Sequence, residues 1–125
     1  MALMNEYIDK GWGASELEEE LVSLIKHYNE YNEEKNTYLF VYASAIGKPI
    51  PDITLTMDDY YTIYDMLREV ETENLDFYIE TLGGSGEAAE EIAEFVHGQF
   101  NKISYLISGE AKSAGTILVL SGDDI

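Results

Sequence analysis

Three short runs of β-branched and aromatic residues, each followed by a helix-period segment, limit this chain more than any other feature. The runs are Tyr38-Leu39-Phe40-Val41-Tyr42-Ala43, Leu75-Asp76-Phe77-Tyr78-Ile79-Glu80-Thr81 and Ile103-Ser104-Tyr105-Leu106-Ile107. Dense runs of this type read as strands buried in a sheet. Between them, Tyr60, Ile63, Tyr64 and Leu67, and then Ala88, Ala89, Ile92, Phe95 and Val96, recur at helical spacing. A last apolar run, Ile117-Leu118-Val119-Leu120, follows the third strand. The order β-α-β-α-β-α predicts a parallel sheet with right-handed crossovers. Thr56 is expected to N-cap the helix after the first strand, with Asp58 and Asp59 in its first turn, where negative charge is favoured. Adjacent helix positions point apart, so those two aspartates read as helix-start charge and no metal site is expected.

A further helix precedes the sheet. Leu17, Leu21, Leu24, Ile25 and Tyr28 form one stripe, and Glu16, Glu18, Glu19, Glu20 and Lys26 lie off it. Ser15 with Glu18 has the spacing of a capping box. The stripe is a candidate contact for the rest of the domain or for another subunit. Residues 1–14 read as a flexible leader broken by Gly11-Trp12-Gly13, and residues 15–125 as one domain. At 125 residues the chain suffices for one modest core.

Charge narrows the partners. A formal net charge of −18 repels nucleic acid and anionic membranes, so no nucleic-acid partner is expected. The chain has no cysteine, which excludes a disulfide framework and thiolate chemistry and fits a reducing compartment. The N-terminus shows no basic region before an apolar one, so no signal peptide is expected. A cytoplasmic location is the expectation, with membrane association of a longer parent chain left open.

In parallel sheets, chemistry collects where loops leave the carboxyl ends of strands. Two such loops stand out: Leu82-Gly83-Gly84-Ser85-Gly86 and Glu110-Ala111-Lys112-Ser113-Ala114-Gly115-Thr116. Ser113 has two readings. It N-caps the last helix, as serine often does, or it is a nucleophile beside unpaired helix-start N–H groups that stabilise an oxyanion. Strands joined by one helix often sit side by side, so the loops can face each other. The N–H groups of Gly84 and Ala114 could then aim at one carbonyl oxygen while Ser113 Oγ attacks its carbon.

Rival motifs fail on spacing. A P-loop needs Gly-Lys-Ser/Thr, but Ala111 precedes Lys112, and no lysine follows Gly83-Gly84. The dinucleotide fingerprint fails because Gly84-Ser85-Gly86 runs into Glu87, Ala88 and Ala89. Ala111-Lys112-Ser113-Ala114-Gly115 is one residue from the α/β-hydrolase elbow, but that fold normally needs a longer chain.

The pair Tyr78-Ile79-Glu80-Thr81-Leu82-Gly83-Gly84-Ser85 and Glu110-Ala111-Lys112-Ser113-Ala114-Gly115-Thr116 resembles the Clp-protease and signal-peptide-peptidase class of serine peptidases. Within that class the chain looks closest to the serine dehydrogenase proteinase family, and Ile53 to Tyr60 resembles that family's first substrate-side helix entry. The resemblance runs from roughly Leu24 onward. It implies an α/β, parallel-sheet ββα-superhelix (ClpP/crotonase-like fold), incomplete at its C-terminus. It implies Ser113 as the nucleophile, Gly84 and Ala114 as oxyanion-hole donors, and Gly83 and Ser85 in the substrate loop. It also implies a polypeptide substrate, a homo-oligomer, no metal and no organic cofactor, and it leaves an ATPase partner undetermined.

Two departures stand against the family pattern. Leu82 occupies a position where proline is usual, which leaves φ freer. A serine hydroxyl also needs a proton acceptor, and in this class the histidine or lysine usually follows the serine. Lys112 is adjacent to Ser113 and points elsewhere, while His27 and His97 precede it out of pattern. The base is therefore expected beyond Ile125. The alternative is a non-catalytic peptide-binding or oligomerisation module on the same fold. A crotonase-like acyl-CoA enzyme is disfavoured, because seven basic residues give the CoA phosphates little to bind.

Overall fold

A computed structural model describes residues 2–51 and 53–125. Three parallel strands, β1 (Thr37–Ala43), β2 (Asn74–Glu80) and β3 (Lys102–Leu106), form one sheet in the order β1-β2-β3. Chain order and spatial order coincide, as expected when each pair is joined by a single helix. The helices are α1 (Ala2–Lys10), α2 (Ala14–Tyr31), α3 (Met57–Leu67), α4 (Gly86–Gln99) and α5 (Ala114–Leu120).

Alternation along the strands sorts the side chains into two faces. Phe40, Leu75, Phe77, Ile79, Ile103 and Tyr105 point to one face and are buried against Ile63, Leu67, Ile92, Val96 and Leu118 of α3, α4 and α5. Phe77 anchors this layer, meeting Phe40 edge-on at 5.3 Å and Tyr105 at 5.2 Å between ring centroids. The opposite face carries Leu39, Val41, Tyr78 and Leu106, with α2 alongside. Asn29 of α2 fixes that helix to β1: its Oδ1 accepts the Leu39 N–H at 2.6 Å and its Nδ2 donates to the Leu39 carbonyl at 3.4 Å.

Thr56 caps α3 as its sequence predicts, and Asp59 completes a capping box by accepting the Thr56 N–H at 2.8 Å. Two expectations are corrected. The leader expected over residues 1–14 is helical over Ala2–Lys10, held by Tyr7 packed at a tilt against Trp12, 5.7 Å between ring centroids, and donating to Glu20 at 2.9 Å. The expected Ser15–Glu18 capping box does not form. Gly13 is the N-cap residue in extended conformation, so Ser15 already lies inside the first turn, and Glu16 supplies the first-turn acid. Met1 lies outside the described residues.

Tyr105 is 1% exposed, and among the described residues its hydroxyl has no hydrogen-bond partner. The nearby Ser121 hydroxyl donates to the Leu118 carbonyl instead. An unpaired buried hydroxyl costs about 1–3 kcal/mol. Tyr105→Phe is therefore expected to raise stability by about 1 kcal/mol, read as a higher urea midpoint with unchanged slope.

Burial also pushes the Tyr105 phenol above its usual range, and the hydrogen bond to Asp76 pushes Tyr28 up to about 12. Both groups hold their protons more tightly folded than unfolded. Their contribution is intact below the ordinary tyrosine value of about 10 and is lost as pH rises through the folded values. Alkaline titration should show stability falling above about pH 10, with late tyrosinate absorbance tracking loss of circular dichroism.

Candidate active site

The two loops singled out by sequence meet at the carboxyl end of the sheet, and Thr81 joins them. It continues the inward alternation of Leu75, Phe77 and Ile79 one step past β2 and is completely buried. Its N–H donates to the Glu110 carbonyl at 2.8 Å, and its carbonyl accepts from Lys112 at 3.1 Å. Its Oγ1 accepts the N–H of Gly83 at 3.1 Å. Its methyl packs against Gly115, where an added Cβ would lie 2.5 Å away. One side chain thus sets the height of the glycine loop against the serine loop.

Gly83 then passes directly beneath Ser113. A Cβ on Gly83 would stand 2.5 Å from the Lys112 carbonyl oxygen and 2.6 Å from Ser113 Cβ. Gly83 has φ 96° and Gly84 φ 152°, backbone that side-chain-bearing residues rarely adopt. Gly84 lies against the Leu55 main chain, too close for any Cβ. Leu55 donates to the Gly83 carbonyl at 2.8 Å and accepts from Ser85 at 2.9 Å. The Gly-Gly loop is therefore clamped from two sides, by Thr81 and by Leu55.

Ser113 is exposed and sits at φ 54°, ψ −123°. For a non-glycine residue this is sparsely populated backbone, costing of the order of 1–3 kcal/mol. The surrounding turn holds it there. Gly115 N–H reaches the Lys112 carbonyl at 2.9 Å, and Thr116 N–H reaches the Ser113 carbonyl at 3.0 Å. The Thr116 hydroxyl donates to the Ala111 carbonyl at 2.7 Å. Ser113 occupies the N-cap position of α5, yet its side chain makes no capping hydrogen bond. Ser85 differs: its Oγ caps α4 by accepting the Ala88 N–H at 3.2 Å.

Among the described residues, neither the Gly84 N–H nor the Ala114 N–H donates to a protein group. Ala114 itself is buried, and Gly84 is exposed.

No described residue hydrogen-bonds the Ser113 hydroxyl. Lys112 turns away to Glu110, with Nζ 3.0 Å from its Oε2. His97 bonds the Ser121 carbonyl through Nε2 at 2.7 Å, at the opposite end of α5 from Ser113. His27 lies exposed on α2. Sequence reasoning missed Thr81 and Leu55 as the supports of the site. The signal for Thr81 was present, since it extends the period-2 burial of β2 into the glycine loop.

No protein-family model matches the chain, and no curated protein matches it. Among solved structures it is similar to a ClpP1 mutant from Listeria monocytogenes, with 16% identity and a TM-score of 0.54 over 76% of this chain and 51% of that one. The chain thus spans about half the length of that structure. At this identity the likeness establishes the fold, a ClpP-like α/β arrangement on a parallel sheet.

Replacing Gly83 by alanine should displace Ser113. The expected loss is about 1–3 kcal/mol from the positive φ alone, with further cost from the overlap at Lys112. Gly86→Ala is the control, because nothing lies within 4 Å of its added methyl. Thermal melts of both variants check the difference.

Proposed function

We propose that the chain carries the nucleophile and oxyanion hole of a serine peptidase of the ClpP and signal-peptide-peptidase class. The observation that supports this most is the packing of the glycine loop under a strained, uncapped Ser113. In this reading Ser113 Oγ attacks the scissile carbonyl carbon of a polypeptide. The carbonyl oxygen becomes the oxyanion and takes hydrogen bonds from the N–H groups of Gly84 and Ala114. Gly83 and Ser85 shape the loop over which the substrate lies. Each oxyanion donor in such a site is worth about 10²–10³ in rate. Assembly into a homo-oligomer and kinship with the serine dehydrogenase proteinase family belong to the same proposal.

The hydroxyl must lose its proton in the attack, and no described side chain is placed to take it. Hydrolysis by this chain alone is therefore slow, and a soluble base should help. A fluorophosphonate probe is expected to label Ser113 slowly, and added imidazole should accelerate the labelling. Ser113→Ala should abolish labelling. Mass spectrometry of the labelled peptide locates the adduct. No adduct at Ser113 in folded protein, with or without imidazole, overturns the proposal.

The unpartnered hydroxyl also favours a second reading, a peptide-binding module that uses the same loop without chemistry. It expects Ser113→Ala to leave peptide affinity unchanged and the probe to stay unreacted.

A further inference from the structure

The sheet face opposite the core is only partly covered. α2 lies along it, yet buries no residue completely, and Leu21 and Leu24 of its apolar stripe each remain 50% exposed. Between α2 and the sheet runs an apolar groove of about 500 Å³. Its walls include Leu21, Leu24 and Tyr28, and its floor is the cross-strand row Val41, Tyr78 and Leu106.

Carboxylates bracket that floor along β2. Asp76 and Glu80 stand two residues before and after Tyr78, hence on the same face, and both are half-buried. Asp76 accepts the Tyr28 hydroxyl at 2.7 Å, and the Glu80 side chain lies against Gly109. Among the described residues neither carboxylate has an ion-pair partner. The lysine on the same side of β3, Lys102, is held by Asp124 at 2.6 Å.

We propose that this groove docks a cationic amphipathic helix from a partner polypeptide, independently of any chemistry at Ser113. Charge selects the occupant. Lysines or arginines flanking an apolar stripe would pair with Asp76 and Glu80, which stand on either side of the Tyr78 floor on the same sheet face. Backbone geometry selects the helix. The groove lies on a face of the sheet, and strand peptide groups point along the sheet plane rather than out of that face, so an extended peptide lying there finds no main-chain partners. A helix satisfies its own peptide groups and presents side chains at i, i+3, i+4 and i+7.

The test uses the full chain and two fluorescent synthetic helices with the same leucine stripe, one carrying lysines and the other glutamates elsewhere. Fluorescence anisotropy should show saturable binding of the lysine helix alone, weakening about tenfold or more between low and moderately high salt as screening sets in. The double variant Leu21→Gln/Leu24→Gln alters half-exposed positions, so its circular dichroism should match the parent. Its affinity for the lysine helix should fall at least about tenfold, because two buried leucine contacts are lost. Equal binding of the glutamate helix, or unchanged binding by the folded double variant, overturns the proposal. So does failure of either helix to bind, or self-association in sedimentation that the double variant abolishes.

Discussion

Thr81 carries the geometry of the functional corner. Its main chain bonds both Glu110 and Lys112, its hydroxyl holds the Gly83 amide, and its methyl sets the approach of Gly115. These contacts are short and directional, so the two loops cannot move independently without leaving polar groups unpaired in a buried place. The strain at Ser113 depends on this. A residue at φ 54° relaxes unless its neighbours over-determine it, and here the neighbours are fixed to Thr81.

The architecture was legible from residue patterns because its signals are strong and local. The runs from Tyr38, Leu75 and Ile103 each became a strand within a residue of the expected ends. Thr56 and Asp59 formed their cap because an exposed helix start leaves little else to satisfy its amides. The N-terminal segment was misread for the opposite reason. Gly11 and Gly13 do interrupt the chain, but the helix before them is held by tertiary contacts of Tyr7 with Trp12 and Glu20, which no short window reveals. The Ser15 cap failed by two positions, since pattern alone does not distinguish Gly13 from Ser15 as the last residue before the helix.

The candidate site was half legible. Gly83, Gly84, Ser113 and Ala114 were identified by composition and place, and the structure brings the two loops together. Leu55 was not, because its role is main-chain pairing with the glycine loop, which any residue type could provide. Ser113 stands at the N-cap position without a capping hydrogen bond, at a positive φ, and a serine written in a sequence does not disclose its φ. The missing proton acceptor is a separate matter: Lys112 and His97 are committed to Glu110 and Ser121, and those commitments are visible only in three dimensions.

The Asn29 bridge to Leu39 has a consequence for solubility. β1 is an edge strand with an unusually apolar and aromatic sequence, the kind of segment that templates fibrils when another chain adds to its open side. Asn29 occupies both hydrogen-bonding groups of Leu39, midway along that margin. An incoming strand must first evict this amide and lift α2 away. The helix therefore acts as a guard against amyloid-type growth.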